Sequence, residues 1–155
     1  VEQTAVNVPG WENVTARGRL MAQRAALLDA YRNMAERVKG IKITGNTYVR
    51  DFVAESDYVQ TALNTFIKGT RIVGGYRYLP DGEVEVTIEV AVRRLVKELT
   101  SIQQHLVQRG WNWRSDTFKT VNFEQIITVM PLKVIQSTGN GVVPLRYRRE
   151  GAVKF

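Results

Sequence analysis

From Glu83 to Val92 the chain alternates without a fault: Val84, Val86, Ile88, Val90 and Val92 against Glu83, Glu85, Thr87, Glu89 and Ala91. Successive side chains of a strand point to opposite faces, so this segment needs one buried face and one polar face. Pro80-Asp81-Gly82 precedes it. Proline presets φ and glycine accepts a positive φ, which is strong turn chemistry. Before the turn, Ile72, Gly74, Tyr76 and Tyr78 oppose Arg71, Val73, Gly75, Arg77 and Leu79. An antiparallel hairpin of Arg71–Leu79 and Glu83–Val92 is therefore expected. Arg71 and Arg77 stand where they can pair with the glutamates, each exposed pair contributing roughly 0.2–1 kcal/mol.

A sheet covered on one face needs a second layer. The candidate is the run from Val14 to Val38, where neither Gly nor Pro interrupts Arg19 to Lys39 and the better helix formers dominate. Thr15 is the expected N-cap, and Gly40 ends the helix. At 3.6 residues per turn, Ala16, Leu20, Leu27, Leu28, Tyr31, Met34, Ala35 and Val38 share one side, the expected apolar face. Ala22, Ala25 and Ala26 lie on the other side among Asp29, Arg32 and Glu36. Two readings fit these alanines: good helix formers on a solvated face, or small residues that let a neighbouring subunit approach.

Residues 1–13 read as an arm leading to Trp11, a core lid. Ile41 and Ile43 start a strand, Gly45-Asn46 signals a turn or bulge, and Thr47 to Val53 is again β-rich. Ser56-Asp57 is placed to cap a helix from Tyr58 to Lys68 with Val59, Leu63, Phe66 and Ile67 inward. Arg93 to Arg109 is expected as a second long amphipathic helix, stopped by Gly110. From Phe118 onward Val121, Phe123, Ile126, Ile127, Val129, Leu132, Val134 and Ile135 predict one or two strands, with a break or edge at Pro131. Gly139-Asn140-Gly141 reads as a turn and Val142 to Tyr147 as a further strand. The fold class is therefore α+β: a long N-terminal helix packed on a mainly antiparallel sheet, a second helix after the hairpin, and a β-rich C-terminal tail. The expected division is an arm (1–13), a core domain (14–110) and a β-rich extension (111–155) that contacts another subunit.

With 155 residues and 44% hydrophobic residues, the chain has the material for a real core. No apolar run reaches the length of a transmembrane helix. The absence of cysteine excludes disulfides, thiolate zinc sites and a cysteine nucleophile. The first residue is Val1 rather than methionine, so a processed product that has lost a leader is expected. The net charge of +7 attracts anionic partners: nucleic acid, lipid headgroups or acidic glycans. Its densest cluster is Arg146, Arg148, Arg149 and Lys154.

Catalytic chemistry is hard to assemble from these residues. The single histidine, His105, lies in a helix without a partner at catalytic spacing, and there is no glycine-rich phosphate loop. Gly74-Gly75 reads as a strand bulge. The acids Asp29, Glu36, Asp51, Glu55 and Asp57 have no metal-ligand spacing. The expectation is no enzyme, no cofactor and no small-molecule substrate. Glu83, Glu85 and Glu89 form an acidic ridge, either solvated or an interface. Trp111 and Trp113 either anchor the tail into the core or offer a contact to a glycan or the envelope.

Several stretches are characteristic in their order: Trp11; Val14-Thr15-Ala16-Arg17-Gly18; Ala25-Ala26-Leu27-Leu28-Asp29-Ala30-Tyr31-Arg32-Asn33; Val38-Lys39-Gly40-Ile41-Lys42-Ile43; Thr47-Tyr48-Val49-Arg50-Asp51; Gly69 to Tyr76; and Asp81-Gly82-Glu83-Val84-Glu85-Val86. In these the chain resembles the LPP-type bacterial outer-membrane lipoproteins, in particular the flagellar protein P (FlgP) branch, and is similar to the N-terminal domain of flagellar assembly protein T. The resemblance spans Trp11 to Val92. It implies a non-catalytic structural protein of the periplasm, associated with the outer membrane, that builds a ring or disk around the flagellar motor and is needed for motility. The partners it implies are further copies of the chain, other flagellar ring proteins, and the outer membrane or peptidoglycan. The alternative is an envelope module that binds an anionic polymer such as peptidoglycan, lipopolysaccharide or nucleic acid. The candidate subunit contacts are Ala22, Ala25, Ala26, Glu85, Glu89, Ile127, Val129, Val134, Arg146 and Arg148, with C-terminal strands added to a neighbour's sheet.

Overall fold

The computed structural model describes residues 8–148. In chain order the elements are α1 (Ala16–Lys39), β1 (Lys42–Thr44), β2 (Thr47–Tyr48), α2 (Val49–Val53), α3 (Asp57–Lys68), β3 (Arg71–Leu79), β4 (Glu83–Ala91), α4 (Val92–Gln108), α5 (Thr117–Thr120), α6 (Gln125–Val129) and β5 (Val134–Val142). The fold is α+β, as the sequence pattern required. The chain divides into two compact units, and neither follows the boundaries expected at 13 and 110. Within the described residues, the first comprises 8–33, 71–88 and 136–148, the second 34–70 and 89–135.

In the first unit the sheet has the order β3-β4-β5. The alternation of β4 buries Val84, Val86 and Ile88, each at most 1% exposed. Burying such side chains contributes about 1.5–3 kcal/mol each. At the hairpin turn Asp81 and Gly82 both adopt positive φ, 63° and 77°. Trp11 is the expected lid: its indole Nε1 donates to the Leu79 carbonyl at 2.6 Å and its ring meets Tyr78 edge-on. Thr15 is the expected N-cap, its hydroxyl accepting from the Gly18 amide at 3.0 Å.

At its last turns α1 buries Met34 and Val38 of the expected apolar face, but before them it turns a different face inward from the one its leucines mark. Gly18, Ala22, Ala26 and Ala30 are buried at a spacing of four, while Leu20 and Leu28 are 44% and 56% exposed. The reason lies in β5. Gly139 and Gly141 face this stripe so closely that a Cβ on Gly139 would overlap the backbone of Ala26 and Ala30, and one on Gly141 the backbone of Ala22 and Ala26. Only small residues on both sides allow a helix backbone to lie against a strand backbone. Size complementarity therefore sets the face, and leucines there would hold the strand away. The Gly139-Asn140-Gly141 stretch is accordingly strand, not turn.

α1 also closes the outer edge of β5. The Asn140 amide donates to Asp29 Oδ2 at 2.9 Å, and Asn33 Nδ2 donates to the Thr138 carbonyl at 2.8 Å. On the other edge the Val143 amide donates to the Gly82 carbonyl, and the Thr87 and Thr138 hydroxyls meet at 2.9 Å. β5 is thus paired on both sides within its own chain. The expected strand at 142–147 stops at Val142 and gives way, after Pro144, to a short 3-10 turn, Leu145–Tyr147.

The second unit is mostly helical. β1 and β2 form a small antiparallel pair, Lys42 opposite Tyr48. The strand expected over Thr47–Val53 is only two residues long, because Asp51 Oδ2 accepts from the Tyr48 amide at 2.8 Å and opens α2 instead. Ser56 caps α3 through a 3.0 Å bond from the Tyr58 amide. α4 buries Leu95, Val96, Leu99, Ile102 and Leu106. The strands expected between Phe118 and Leu132 are instead α5 and α6. Apolar residues of this segment serve a helical core: Phe118 of α5 and Phe123 just before α6 pack tilted against Phe52, ring centroids 5.5 and 4.9 Å away. Buried Gln103 donates through Nε2 to the Phe118 and Val121 carbonyls, 2.9 Å each, which holds α5 without a strand partner.

Candidate functional site

Among the described residues no group of three or more His, Cys, Asp or Glu could hold a metal ion. His105 is half-buried, its ring stacked on Tyr58 at 4.4 Å. The most developed surface feature belongs to the second unit and is organised by Glu55, which the sequence offered only as one of five acids without metal-ligand spacing.

Glu55 is 2% exposed. Its Oε1 accepts from Trp111 Nε1 at 3.2 Å and from the Arg114 amide at 2.8 Å, and its Oε2 from the Ser115 amide at 3.0 Å. A buried carboxylate needs such donors to offset its lost hydration. The carboxylate thereby fixes the 111–115 segment and turns the polar tip of the Trp111 indole inward. Trp111 lines an open recess of about 470 Å³, with Lys39, Arg50, Asp57, Gln60 and Arg114 around it. The Arg50 guanidinium lies 4.4 Å from the Tyr48 ring centroid, and Lys39 Nζ is 3.7 Å from Glu36. A second recess of about 400 Å³ shares Glu55 and Arg114 and is lined by Asn46, Thr47, Asp51, Ser115 and Thr117. Two nearby tryptophans on either side of Asn112 were the sequence signal for this place. The basic residues come from distant segments and gave none.

The sequence-derived contact residues scatter. Ala22 and Ala26 are fully buried beneath β5 of the same chain, which removes them from any subunit surface; Ala25 is exposed. Glu85 pairs with Arg77 at 3.4 Å as expected, and Glu89 is half-buried. Arg148 donates to the Asp81 carbonyl at 2.7 Å and its guanidinium covers Gly82, so it clasps its own hairpin turn. Arg146 is exposed beside the Tyr147 ring. Arg149 and Lys154 lie outside the described residues. Trp111 and Trp113 are both half-buried.

The second unit leaves Val129, Leu132 and Val134, close together in sequence, 68%, 50% and 40% exposed. Half-buried Ile127 lines a groove of about 350 Å³ beside them, with Met130, Leu132, Arg93 and Lys133. No helix among the described residues is long and apolar enough to cross a membrane.

The family model described as LPP20 lipoprotein matches residues 9–91, a little over half the chain. The match takes in α1 and the β3–β4 hairpin and ends before α4 and β5. No curated protein and no solved structure matches the chain.

Proposed function

Because the chain belongs to the LPP20 lipoprotein family, we propose that it is a structural, non-catalytic subunit at the outer membrane, one that assembles with copies of itself into a ring or disk around the flagellar motor. The family is one of outer-membrane-associated lipoproteins. The flagellar reading rests on the resemblance to the flagellar protein P branch in the stretches from Trp11 to Val92. The observation that carries assembly is the exposed run Val129, Leu132 and Val134. Grouped apolar side chains at a surface commonly mark a protein contact. A closed ring joins one patch to a different patch on the next copy, and this run with its basic flanks Arg93 and Lys133 is one such patch. The test is light scattering with negative-stain imaging at low and high salt, for the wild type and for V129D/V134D. Uniform assemblies that survive high salt, with a monomeric variant and impaired motility in cells carrying it, are expected. A monomer in both forms, with motility unchanged, overturns the reading.

The recess beside Trp111 favours a second reading, an envelope module that holds an anionic polymer. Charge-driven binding weakens steeply with salt, whereas apolar assembly does not, so the same salt series separates the two.

A further inference from the structure

We infer that the paired recesses of the second unit are a binding site for an acidic glycan: a sugar bearing a carboxylate in the Trp111 recess and a neutral sugar in the recess beyond Arg114. The inference rests on the polymer-binding reading and names its site and ligand class. Three observations carry it. First, the recess of about 470 Å³ is lined by Lys39, Arg50 and Arg114. Of the two acids at its wall, Glu55 is buried, both its oxygens already taken by N–H donors, and Asp57 is exposed; Lys39 is paired with Glu36, so the arginines are the cations left for an anion. Among the described residues no carboxylate lies within ion-pair distance of the Arg50 or Arg114 guanidinium. A planar guanidinium matches a carboxylate in a two-point hydrogen-bonded geometry.

Second, the Trp111 indole lines the recess and is pinned by its Nε1–H to Glu55, which leaves its hydrogen-bond donor already taken. A fixed aromatic plate presents an apolar surface for the C–H face of a pyranose, and it loses little entropy on binding because it is already held. Third, the neighbouring recess is lined by Asn46, Thr47, Ser115 and Thr117 together with Asp51, whose Oδ2 accepts from the Tyr48 amide, and it shares Arg114 with the first. Such amide, hydroxyl and carboxylate groups suit the hydroxyls and acetamide of an uncharged sugar and disfavour a second anion. A recess with two arginines and an aromatic wall, next to one without a further cation, fits a glycan in which acidic and neutral units alternate.

The test is titration of the full chain with two tetrasaccharides of equal length, alternating N-acetylglucosamine and N-acetylmuramic acid in one, N-acetylglucosamine alone in the other, with the indole N–H resonances observed by NMR. Inorganic phosphate and vesicles containing an anionic phospholipid serve as further probes. The acidic glycan is expected to shift the Trp111 resonance, and R50Q/R114Q to weaken its binding at least about tenfold, which is about 1.4 kcal/mol. W111F retains an aromatic ring and reports whether the shift originates there. Equal binding of the neutral glycan, unchanged binding by R50Q/R114Q, binding of vesicles or phosphate in preference to the glycan, or no glycan binding at millimolar concentration overturns the proposal. Retention on purified cell-wall sacculi separates the levels. If R50Q/R114Q is retained as well as the wild type, polymer binding stands and this site falls; if neither is retained, the polymer-binding reading falls with it.

Discussion

Replacing Glu55 by alanine removes the acceptor of three N–H groups at once, those of Trp111, Arg114 and Ser115. A buried donor left without a partner costs about 1–3 kcal/mol. Arg114 is exposed and Trp111 and Ser115 are half-buried, so water recovers part of that loss. The net destabilisation works out at about 3 kcal/mol, which for a chain of this size lowers the melting temperature by about 6–12 °C. E55Q keeps one acceptor oxygen but turns an amide NH2 toward a donor, and should lose nearly as much. R114A is the control, because Glu55 binds the backbone amide of Arg114 and not its side chain. Circular dichroism melts give the stabilities, and near-ultraviolet spectra report on the tryptophans. If E55A loses less than about 1 kcal/mol, or R114A loses as much as E55A, the carboxylate is not what holds the 111–115 segment.

Four further outcomes follow from the packing. G139A forces a Cβ into the backbone of Ala26 and Ala30, and should destabilise by about 3 kcal/mol or more, read from urea unfolding. T15A removes the N-cap of α1 and should cost about 0.5–2 kcal/mol in the same assay. Q103L leaves the Phe118 and Val121 carbonyls without their donor; hydrogen exchange should quicken around α5 first. R77A breaks a pair with Glu85 whose arginine is 68% exposed, and should change stability by less than about 0.5 kcal/mol.

The hairpin was the most legible part of the sequence. Its period of two and its Pro-Asp-Gly turn are local, and nothing distant overrules them. The caps at Thr15 and Ser56 were legible for the same reason. The face of α1 was legible at Met34 and Val38 but not from Gly18 to Ala30, because leucine signals burial only where the partner leaves room for it. Here the partner is a strand carrying glycine at 139 and 141, more than a hundred residues away in sequence. The β-rich run from Val121 to Leu132 misled in a similar way, whereas Val134 and Ile135 do begin a strand. Phe123 fits a helical core around Phe52, and buried Gln103 supplies hydrogen bonds that a strand partner would otherwise supply. The candidate site was legible only as two tryptophans. Its cations come from α1, α2 and the segment after α4, which no spacing rule links.

β5 decides whether the part of the chain that carries the family pattern is complete in itself. The family match ends at residue 91, yet the sheet of the first unit is β3-β4-β5. Ending the chain at Lys133 would remove β5 with the Leu145–Tyr147 turn and Arg148 that follow it, and leave α4, α5 and α6 in place. It would uncover one edge of β4 and the Gly18–Ala30 stripe of α1, whose alanines are too small to pack on one another. It also deletes Ile135 and Val143, 1% and 2% exposed, at about 1.5–3 kcal/mol each. Those losses, with the ladder bonds and the contacts from Asp29 and Asn33, reach the whole stability of a typical domain, about 5–15 kcal/mol. The shortened chain should therefore lose its cooperative melt and aggregate through the open β4 edge, and a synthetic peptide of residues 134–148 should restore the transition. A shortened chain that melts cooperatively near the temperature of the full chain would show that β5 is an addition to the sheet and not part of what makes it fold.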